Sequence, residues 1–331
     1  MELVAPAGNL PSLKAAIDNG ADAVYIGMRN DTNARHFPGL NFEESNLAKA
    51  VFYAHVAGAK AFLAINTYPQ PQGWARWQRA VDVADDAGFD ALIVADMGVM
   101  EYAASRHPNL RLHLSVQASA TNRHALGLYQ QQFGIRRAVL PRVLSLEQVT
   151  RLAKHSPVDL EVFAFGSLCI MVEGRCQLSS YATGKSPNLC GACSPAEFVA
   201  WHSTADGLES RLNGLLMDRF PVGTVAGYPV ICKGRFRAAD SVYHVIEEPT
   251  SLNTIELLPL LAKAGIKAIK IEGRQRGTAY VAQVTRIWRA ALDALSTQKG
   301  AFAVRHEWAE SLAGISEGAH TTLGAYHRPW Q

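Results

Sequence analysis

The most constraining feature of this sequence is a regular alternation of short apolar runs with longer amphipathic stretches. Such runs are typical of strands buried in a parallel sheet, and the amphipathic stretches have the apolar spacing of helices packed on one face. The predicted strands are residues 2–5, 21–27, 60–65, 90–95, 110–116, 137–140, 160–165 and 268–271. The predicted helices are residues 11–19, 42–57, 74–87, 98–105, 121–133, 146–153, 252–264 and 280–295. Eight alternating units predict an α/β fold, a (βα)8 TIM-type barrel.

The alternation is interrupted once, after the seventh strand. About a hundred residues separate Phe165 from Ala268, whereas a connection of a few dozen would suffice. We therefore expect a barrel over residues 1–295 that carries an insertion at 167–250, followed by an irregular tail at 296–331. The aromatic composition of the tail predicts that it packs over the barrel or against a partner.

Composition excludes some classes of protein. Apolar residues make up 48% of the 331, but no stretch approaches the roughly 20 uncharged residues of a membrane helix. The net charge is +3, from 32 basic and 29 acidic residues, without a block of Lys or Arg, so a nucleic-acid partner is not expected. The first residues do not read as a secretory signal, which predicts a reducing, cytoplasmic location.

All five cysteines lie between Leu160 and Cys232. They are Cys169, Cys176, Cys190, Cys193 and Cys232. Disulfides are not expected in a reducing compartment, and zinc commonly takes paired CxxC units, of which this chain has one. An iron–sulfur cluster also takes four thiolates and accepts irregular spacing, so it fits better. The ordinary alternative is that some of these thiols are buried as small apolar side chains.

Polar residues follow several of the predicted strands. Catalytic groups of a (βα)8 barrel lie at the carboxyl ends of its strands, so one rim should collect Asn66, Asp96, Gln117, Arg142, Glu272 and Arg274. Cys169 enters the same rim after the seventh strand. A buried hydrogen-bonding role is the ordinary alternative for each, and the better prediction for Asp96 and Gln117 taken singly. The polar loop 28–41 is a second candidate for substrate contact, and an ordinary solvated loop is an equally good interpretation of it.

The stretch from Glu161 to Ser179, with its Gly166, Cys169, Gly174 and Cys176, resembles the signature of the collagenase-like putative peptidases, unassigned-type family thirty-two (U32). Residues 117–122, 139–142 and 270–274 are similar to that family as well. The resemblance implies a 4Fe-4S cluster with the ligands Cys169, Cys176, Cys193 and Cys232. Cys190 has no counterpart in the family pattern, although its CxxC pairing with Cys193 leaves open that Cys190 is the ligand in place of Cys193.

Along nearly the whole chain the resemblance is to family members that act in ubiquinone biosynthesis. It implies an O2-independent hydroxylase that works as a heterodimer with a homologous subunit, with prephenate as hydroxyl donor and a prenylated ubiquinone precursor as acceptor. The candidate catalytic residues come from the predicted rim of the barrel and are Arg142, Arg274, Glu272, Asn66 and Gln117. Arginine forks bind carboxylates bidentately, so Arg142 and Arg274 are candidates for the two carboxylates of prephenate, with salt bridges to Glu272 as the alternative.

Other functions remain open at this stage. An RNA nucleobase hydroxylase of the same family would need a broader basic surface or an added domain. A non-catalytic electron-transfer or scaffold subunit is a further alternative. Peptidase activity is not expected, because the chain has neither an HExxH nor a GxSxG motif and a thiol peptidase would leave four clustered cysteines unexplained.

Overall fold

The computed structural model describes residues 1–37, 39–171, 173, 176–187, 192–297 and 302–327. Eight parallel strands form its centre: β1 (Glu2–Pro6), β2 (Ala23–Gly27), β3 (Lys60–Ile65), β4 (Ala91–Val94), β5 (Arg111–Leu114), β6 (Arg137–Val139), β7 (Asp159–Ser167) and β14 (Ala268–Ile271). Each pairs with the next, and β14 pairs with both β7 and β1, which closes the ring. The predicted (βα)8 barrel is confirmed.

Helices surround the ring. They are α1 (Leu10–Asp18), α2 (Leu47–Val56), α3 (Trp74–Asp86), α4 (Met97–Arg106), α5 (Arg123–Phe133), α6 (Leu146–Ala153), α8 (Leu258–Lys263) and α9 (Thr278–Thr297), with α7 (Gln177–Thr183) and α10 (His306–Gly314) outside it. Local signals set their ends: Asn9 caps α1 by accepting from Ser12 N at 2.9 Å, and Ser145 and Gln148 form a capping box on α6.

The core has two layers. Apolar side chains between strands and helices form the larger one, in which Trp288 of α9 is fully buried. The barrel interior is smaller and holds Tyr25 and Phe62. Toward the amino ends of the strands it also holds charges: Glu161 accepts from Lys270 Nζ at 2.7 Å and from Arg137 Nη1 at 3.2 Å. These buried charges are paired, as burial requires.

Between β7 and β14 the chain builds separate small sheets. Strands β8 (Val199–Thr204), β9 (Gly207–Leu212) and β10 (Leu215–Pro221) form an antiparallel sheet, and β11 (Phe236–Ala238) pairs with β12 (Ser241–Tyr243). Leu212 and Met217 pack with Ala182 of α7 in a small core of their own. The described cysteines, Cys169, Cys176, Cys193 and Cys232, lie in this connection, and Cys169 closely follows the barrel strand β7.

One predicted helix begins in the wrong place. Leu252 and Asn253 belong to strand β13 (Ser251–Asn253), and the helical part starts only with the turn Ile255–Leu257 before α8. Strand β13 pairs antiparallel with residues 165–167, because β7 runs beyond the barrel to Ser167 and offers backbone groups there. The apolar spacing that predicted a helix from 252 therefore mixed a buried strand with the helix that follows it.

The described part of the tail packs on its own chain. Strand β15 (Thr321–Thr322) pairs with β13, and the side chains of Leu323 and Tyr326 contact the core. Tyr326 also packs against the cluster that contains Leu168, close to the cysteines. Trp330, part of the predicted aromatic tail, lies outside the described residues. In the described part of the chain, no helix combines the length and the apolar character needed to cross a membrane.

Candidate functional site

The residues predicted for the rim are all placed at the carboxyl ends of the strands. Asn66 follows β3, Gln117 follows β5, Arg142 follows β6, and Glu272 and Arg274 follow β14. All five are buried. The barrel thus brings them to one mouth, but their contacts there differ.

Arg274 is a buried cation without a carboxylate partner among the described residues. Its Nη1 donates to Asn33 Oδ1 at 2.6 Å, and its guanidinium carbon lies 5.3 Å from the centre of the Tyr25 ring. Burial, together with the nearby charge of Arg35, lowers the pKa of Arg274 to about 10. The group is still charged at neutral pH, and an anionic ligand would supply the missing partner.

Gly27 makes room for this arrangement. A Cβ at this position would lie 2.2 Å from Asn33 Nδ2 and 2.7 Å from Arg274 Nη1. Any larger residue would push both side chains out of place. The glycine at the end of β2 is therefore part of the Arg274 site.

Arg142 has a different environment. Its Nε and Nη2 each donate to Glu173 at 2.8 Å, and its Nη1 donates to Ser167 O at 2.6 Å. Its guanidinium carbon also lies 4.2 Å from the centre of the Phe163 ring. The fork that was predicted to bind a substrate carboxylate is occupied by a carboxylate of the protein.

Glu272 does not form the salt bridges considered for it. Its Oε2 accepts from Ser167 N at 3.3 Å, and within the described ranges it makes no ion pair. Burial acts to raise the pKa of Glu272, but the charges of Arg35, Arg142 and Arg276 outweigh burial and lower it. Glu272 is thus an ionised carboxylate held among several cations.

Asn66 and Asp96 have ordinary structural contacts. Asn66 accepts from Ala34 N at 3.1 Å and donates to Ser115 Oγ at 3.3 Å, which ties the loop after β2 to the end of β5. Asp96 caps α4 by accepting from Val99 N at 3.0 Å. These contacts account for both side chains without a ligand.

Gln117 is only partly accounted for. It lies in the turn Val116–Ala118, where its backbone N–H donates to Ser115 Oγ and its carbonyl accepts from Tyr68. Its side-chain Oε1 is buried without a partner in the described structure. A buried amide oxygen without a partner is unusual and is compatible with a ligand contact.

Four cysteines are described, and none of them is in a disulfide. Cys169 follows β7, Cys176 caps α7 through its sulfur, and Cys232 lies in the turn Ile231–Lys233. Cys193 precedes β8. Cys190 lies outside the described residues.

The four thiols share one electrostatic environment. Burial raises the pKa of Cys169 and of Cys232 to about 12, and it raises the pKa of Cys193 as well. Cys193 acts to raise the pKa of Cys169 and of Cys232, and Cys176 acts to raise the pKa of Cys193 and of Cys232. Each of the four thiols therefore lies within electrostatic range of at least one other.

The donor chemistry of this region fits an iron–sulfur cluster. Four cysteines supply the number of thiolates that a cluster takes, and the charges of Arg142, Arg35 and Lys233 act to lower the pKa values of Cys169, Cys193 and Cys232 respectively, against the larger effect of burial. Thiolates bound to a cluster each take a different iron, so they need not meet at one point. Among the described residues, no three His, Cys, Asp or Glu side chains are grouped so as to hold a single metal ion.

Several residues of this region were not singled out by sequence. Asn33 and Arg35 were noted only as members of the polar loop 28–41, and Glu173 only as part of the family signature. Glu317, from the tail, accepts from Ser167 Oγ at 2.5 Å and pairs with Lys233. No pattern in the sequence connects Glu317 with residues about 150 positions away.

A cavity of about 1010 Å³ lies at the opposite end of the barrel. Its lining includes Arg111, Arg137 and Asp159, the first residues of three strands. None of the cysteines or rim residues discussed above lines it. It is therefore separate from the mouth.

Known proteins resemble this chain over most of its length. It is 34% identical over 300 residues to an uncharacterized protease of Methanocaldococcus jannaschii, covering 89% of this chain and 66% of that protein. It is 30% identical over 316 residues to tRNA hydroxylation protein P1 of Bacillus subtilis, covering 94% of this chain and 67% of that protein. The chain thus spans about two thirds of the length of these relatives. The solved U32 peptidase Mk0906 is 15% identical, with a TM-score of 0.42 over 51% of this chain and 70% of that one.

The family assignment rests on the sequence as a whole. The profile of peptidase family U32 matches residues 8–329, which include seven of the eight barrel strands, all five cysteines and most of the tail. The expected family resemblance is confirmed, and the chain belongs to peptidase family U32.

Proposed function

We propose that this chain is the iron–sulfur subunit of an O2-independent hydroxylase that acts on a prenylated ubiquinone precursor. Within the family it resembles the ubiquinone biosynthesis protein UbiU, which implies a UbiV-like partner and prephenate as hydroxyl donor. Hydroxylation is supported by relatives named tRNA hydroxylation proteins. The observation that carries the proposal is that Cys169, Cys176, Cys193 and Cys232 all lie in the connection after β7, which leaves the barrel at the mouth that holds Arg274.

The cluster would be held by Cys169, Cys176, Cys193 and Cys232. When bound, such a cluster supplies one-electron transfer. The chain's own contribution is charge and position: cations near three of the thiols offset the charge of the thiolates. The cluster region and the rim share neighbours, since Arg142 acts on both Cys169 and Glu272.

Arg274 would bind a carboxylate of the donor. Its position is set by Asn33, to which its Nη1 donates at 2.6 Å. A buried guanidinium pairs strongly with a carboxylate because the low local dielectric strengthens the interaction. Arg35, which acts on Arg274, Glu272 and Cys193, is a candidate for the second carboxylate.

An RNA nucleobase hydroxylase is the second candidate, because the hydroxylating relatives are named for tRNA. Charge does not favour it here. Residues 167–250 carry seven basic and eight acidic side chains. Several of those basic groups are paired within the protein, as in Arg219–Glu209 and Arg235–Asp218. Binding to RNA phosphates requires unpaired positive charge.

A protein partner is supported by the surface of the same region. Single exposed apolar residues are common, but a large group of them within one small region is typical of an interaction surface. The large apolar side chains exposed here include Trp201, Leu215, Val222, Val225, Tyr228, Val242 and Tyr243. The tail supplies less support, since its described part packs on its own chain.

The decisive experiment is anaerobic purification with and without the UbiV-like subunit. We expect about four irons and four sulfides per chain, and hydroxylation of the ring with prephenate as donor when both subunits are present. Stoichiometric zinc without sulfide would exclude the cluster. Full activity of the isolated chain would exclude the heterodimer, and co-purified RNA that is hydroxylated instead of the quinone precursor would favour the second candidate.

A further inference from the structure

The ion pair between Arg142 and Glu173 joins the barrel to the cysteine segment. Both side chains are almost completely buried, at 4% and 5% exposure, and two hydrogen bonds of 2.8 Å connect them. A buried pair of this kind costs desolvation on both sides, and it persists only when its hydrogen bonds are well made. Here all three guanidinium nitrogens are used.

The pair holds three parts of the chain together. Arg142 follows β6, and it contacts β7 twice, through the ring of Phe163 and the carbonyl of Ser167. Glu173 lies between Cys169 and Cys176. Ser167 stands two residues before Cys169, and Glu173 stands four residues after it. Arg142 therefore contacts the segment on both sides of this thiol.

We infer that Arg142 and Glu173 are positioning residues that hold Cys169 in place for the cluster, and that Arg142 does not bind the hydroxyl donor. This inference rests on the proposed function for its cluster. It assigns different roles to the two rim arginines: Arg274 binds the ligand, and Arg142 holds the cysteine segment.

The test compares Glu173→Gln, Arg142→Gln and the double variant with wild type. Removing one partner strands a buried charge, so iron per chain should fall to less than about half in each single variant. In the clusters that remain in Glu173→Gln, loss of a nearby negative charge should shift the reduction potential to a more positive value. The double variant should hold at least as much iron as the worse single, because no charge is left unpaired.

The matched control is Glu197→Gln, which removes the exposed partner of Lys185 in the same region. It should leave iron content and potential unchanged. Unchanged iron and potential in Glu173→Gln would overturn the inference. So would an Arg142→Gln protein with full iron and a raised KM for prephenate, since that result would make Arg142 a substrate-binding residue.

A readout without the cluster separates this inference from the proposed function. In the metal-free full-length chain, alkylation of Cys169 followed by mass spectrometry should be several-fold faster in Glu173→Gln than in wild type, while Cys232 reacts at an unchanged rate. Equal rates at Cys169 would overturn the positioning role. If the wild-type chain never binds iron but Glu173→Gln still shows faster alkylation of Cys169 than wild type, the proposed cluster is refuted and the positioning role stands.

Discussion

The hydroxyl of Ser167 donates to Glu317 Oε1 at 2.5 Å, so the end of the seventh strand is tied to a residue near the end of the chain. Glu317 also pairs with Lys233, next to Cys232, and lies 3.5 Å from Arg276 after β14. One carboxylate therefore connects the tail, the cysteine region and the barrel mouth.

Replacing Glu317 should weaken the contacts that join the tail, the cysteine region and the barrel mouth. We expect Glu317→Ala to lower the free energy of unfolding by about 2–4 kcal/mol, because Lys233 would lose the partner of its largely buried ammonium group. Chemical denaturation measures this. Glu307→Ala removes an exposed carboxylate of α10 and should change stability by less than about 0.5 kcal/mol. Equal stability of the two variants would contradict the role given to Glu317.

The choice of cluster ligands leads to a second prediction. Alanine at Cys169, Cys176, Cys193 or Cys232 should lower iron content and hydroxylation together, by roughly tenfold or more, since each removes one of four thiolate bonds. Cys190→Ala should retain both. Only two residues separate Cys190 from its CxxC partner Cys193, so it could rescue Cys193→Ala, and only the double variant would then be empty. A Cys190→Ala chain that loses iron while Cys193→Ala keeps it would reverse the assignment.

Arg274 provides a test of the anion site. Loss of a charge-assisted hydrogen bond costs about 1.5–3 kcal/mol, so Arg274→Gln should raise the KM for prephenate roughly 10- to 150-fold without loss of iron. Arg76→Gln removes an exposed arginine that pairs with Asp31, and it should leave the KM unchanged. If Arg274→Gln binds prephenate normally, the carboxylate lies elsewhere.

Gly27→Ala tests the same site by crowding. Its new Cβ would lie 2.2 Å from Asn33 Nδ2, so Asn33 and Arg274 must shift, and we expect donor binding to weaken at least about tenfold. Gly127→Ala is the control, because nothing lies within 4 Å of its added Cβ within α5. The control should stabilise the protein by about 0.5–1 kcal/mol. Equal donor affinity in both variants would show that Gly27 is not part of the site.

Glu272 should contribute to acid sensitivity. Its pKa is lowered in the folded state from an ordinary value of 4.5, so its stabilising effect is complete above about that pH. The effect is lost as pH falls through the lower folded value. Glu272→Gln should therefore flatten the dependence of unfolding free energy on pH below about 4.5, and an unchanged slope would contradict the lowered pKa.

Much of the fold could be predicted from local sequence patterns. The strand at 60–65 and the helix at 146–153 agree with the structure residue by residue, because a run of buried apolar residues or a capping box acts within a few neighbouring positions. The strand at Ser251–Asn253 could not be predicted in this way. It exists because β7 extends beyond the barrel, and that extension is visible only once the chain has folded.

The sequence by itself determined the barrel, the grouping of the cysteines and the set of polar residues at the rim, since strand order places every such residue at one end. Tertiary structure alone decided what each of them contacts. Arg142 and Arg274 are the same residue type in equivalent rim positions, yet Arg142 donates to the carboxylate of Glu173, whereas Arg274 donates to the neutral amide of Asn33. The physical reason is that the role of a buried charge depends on the group that packs against it, and that group comes from a distant part of the chain.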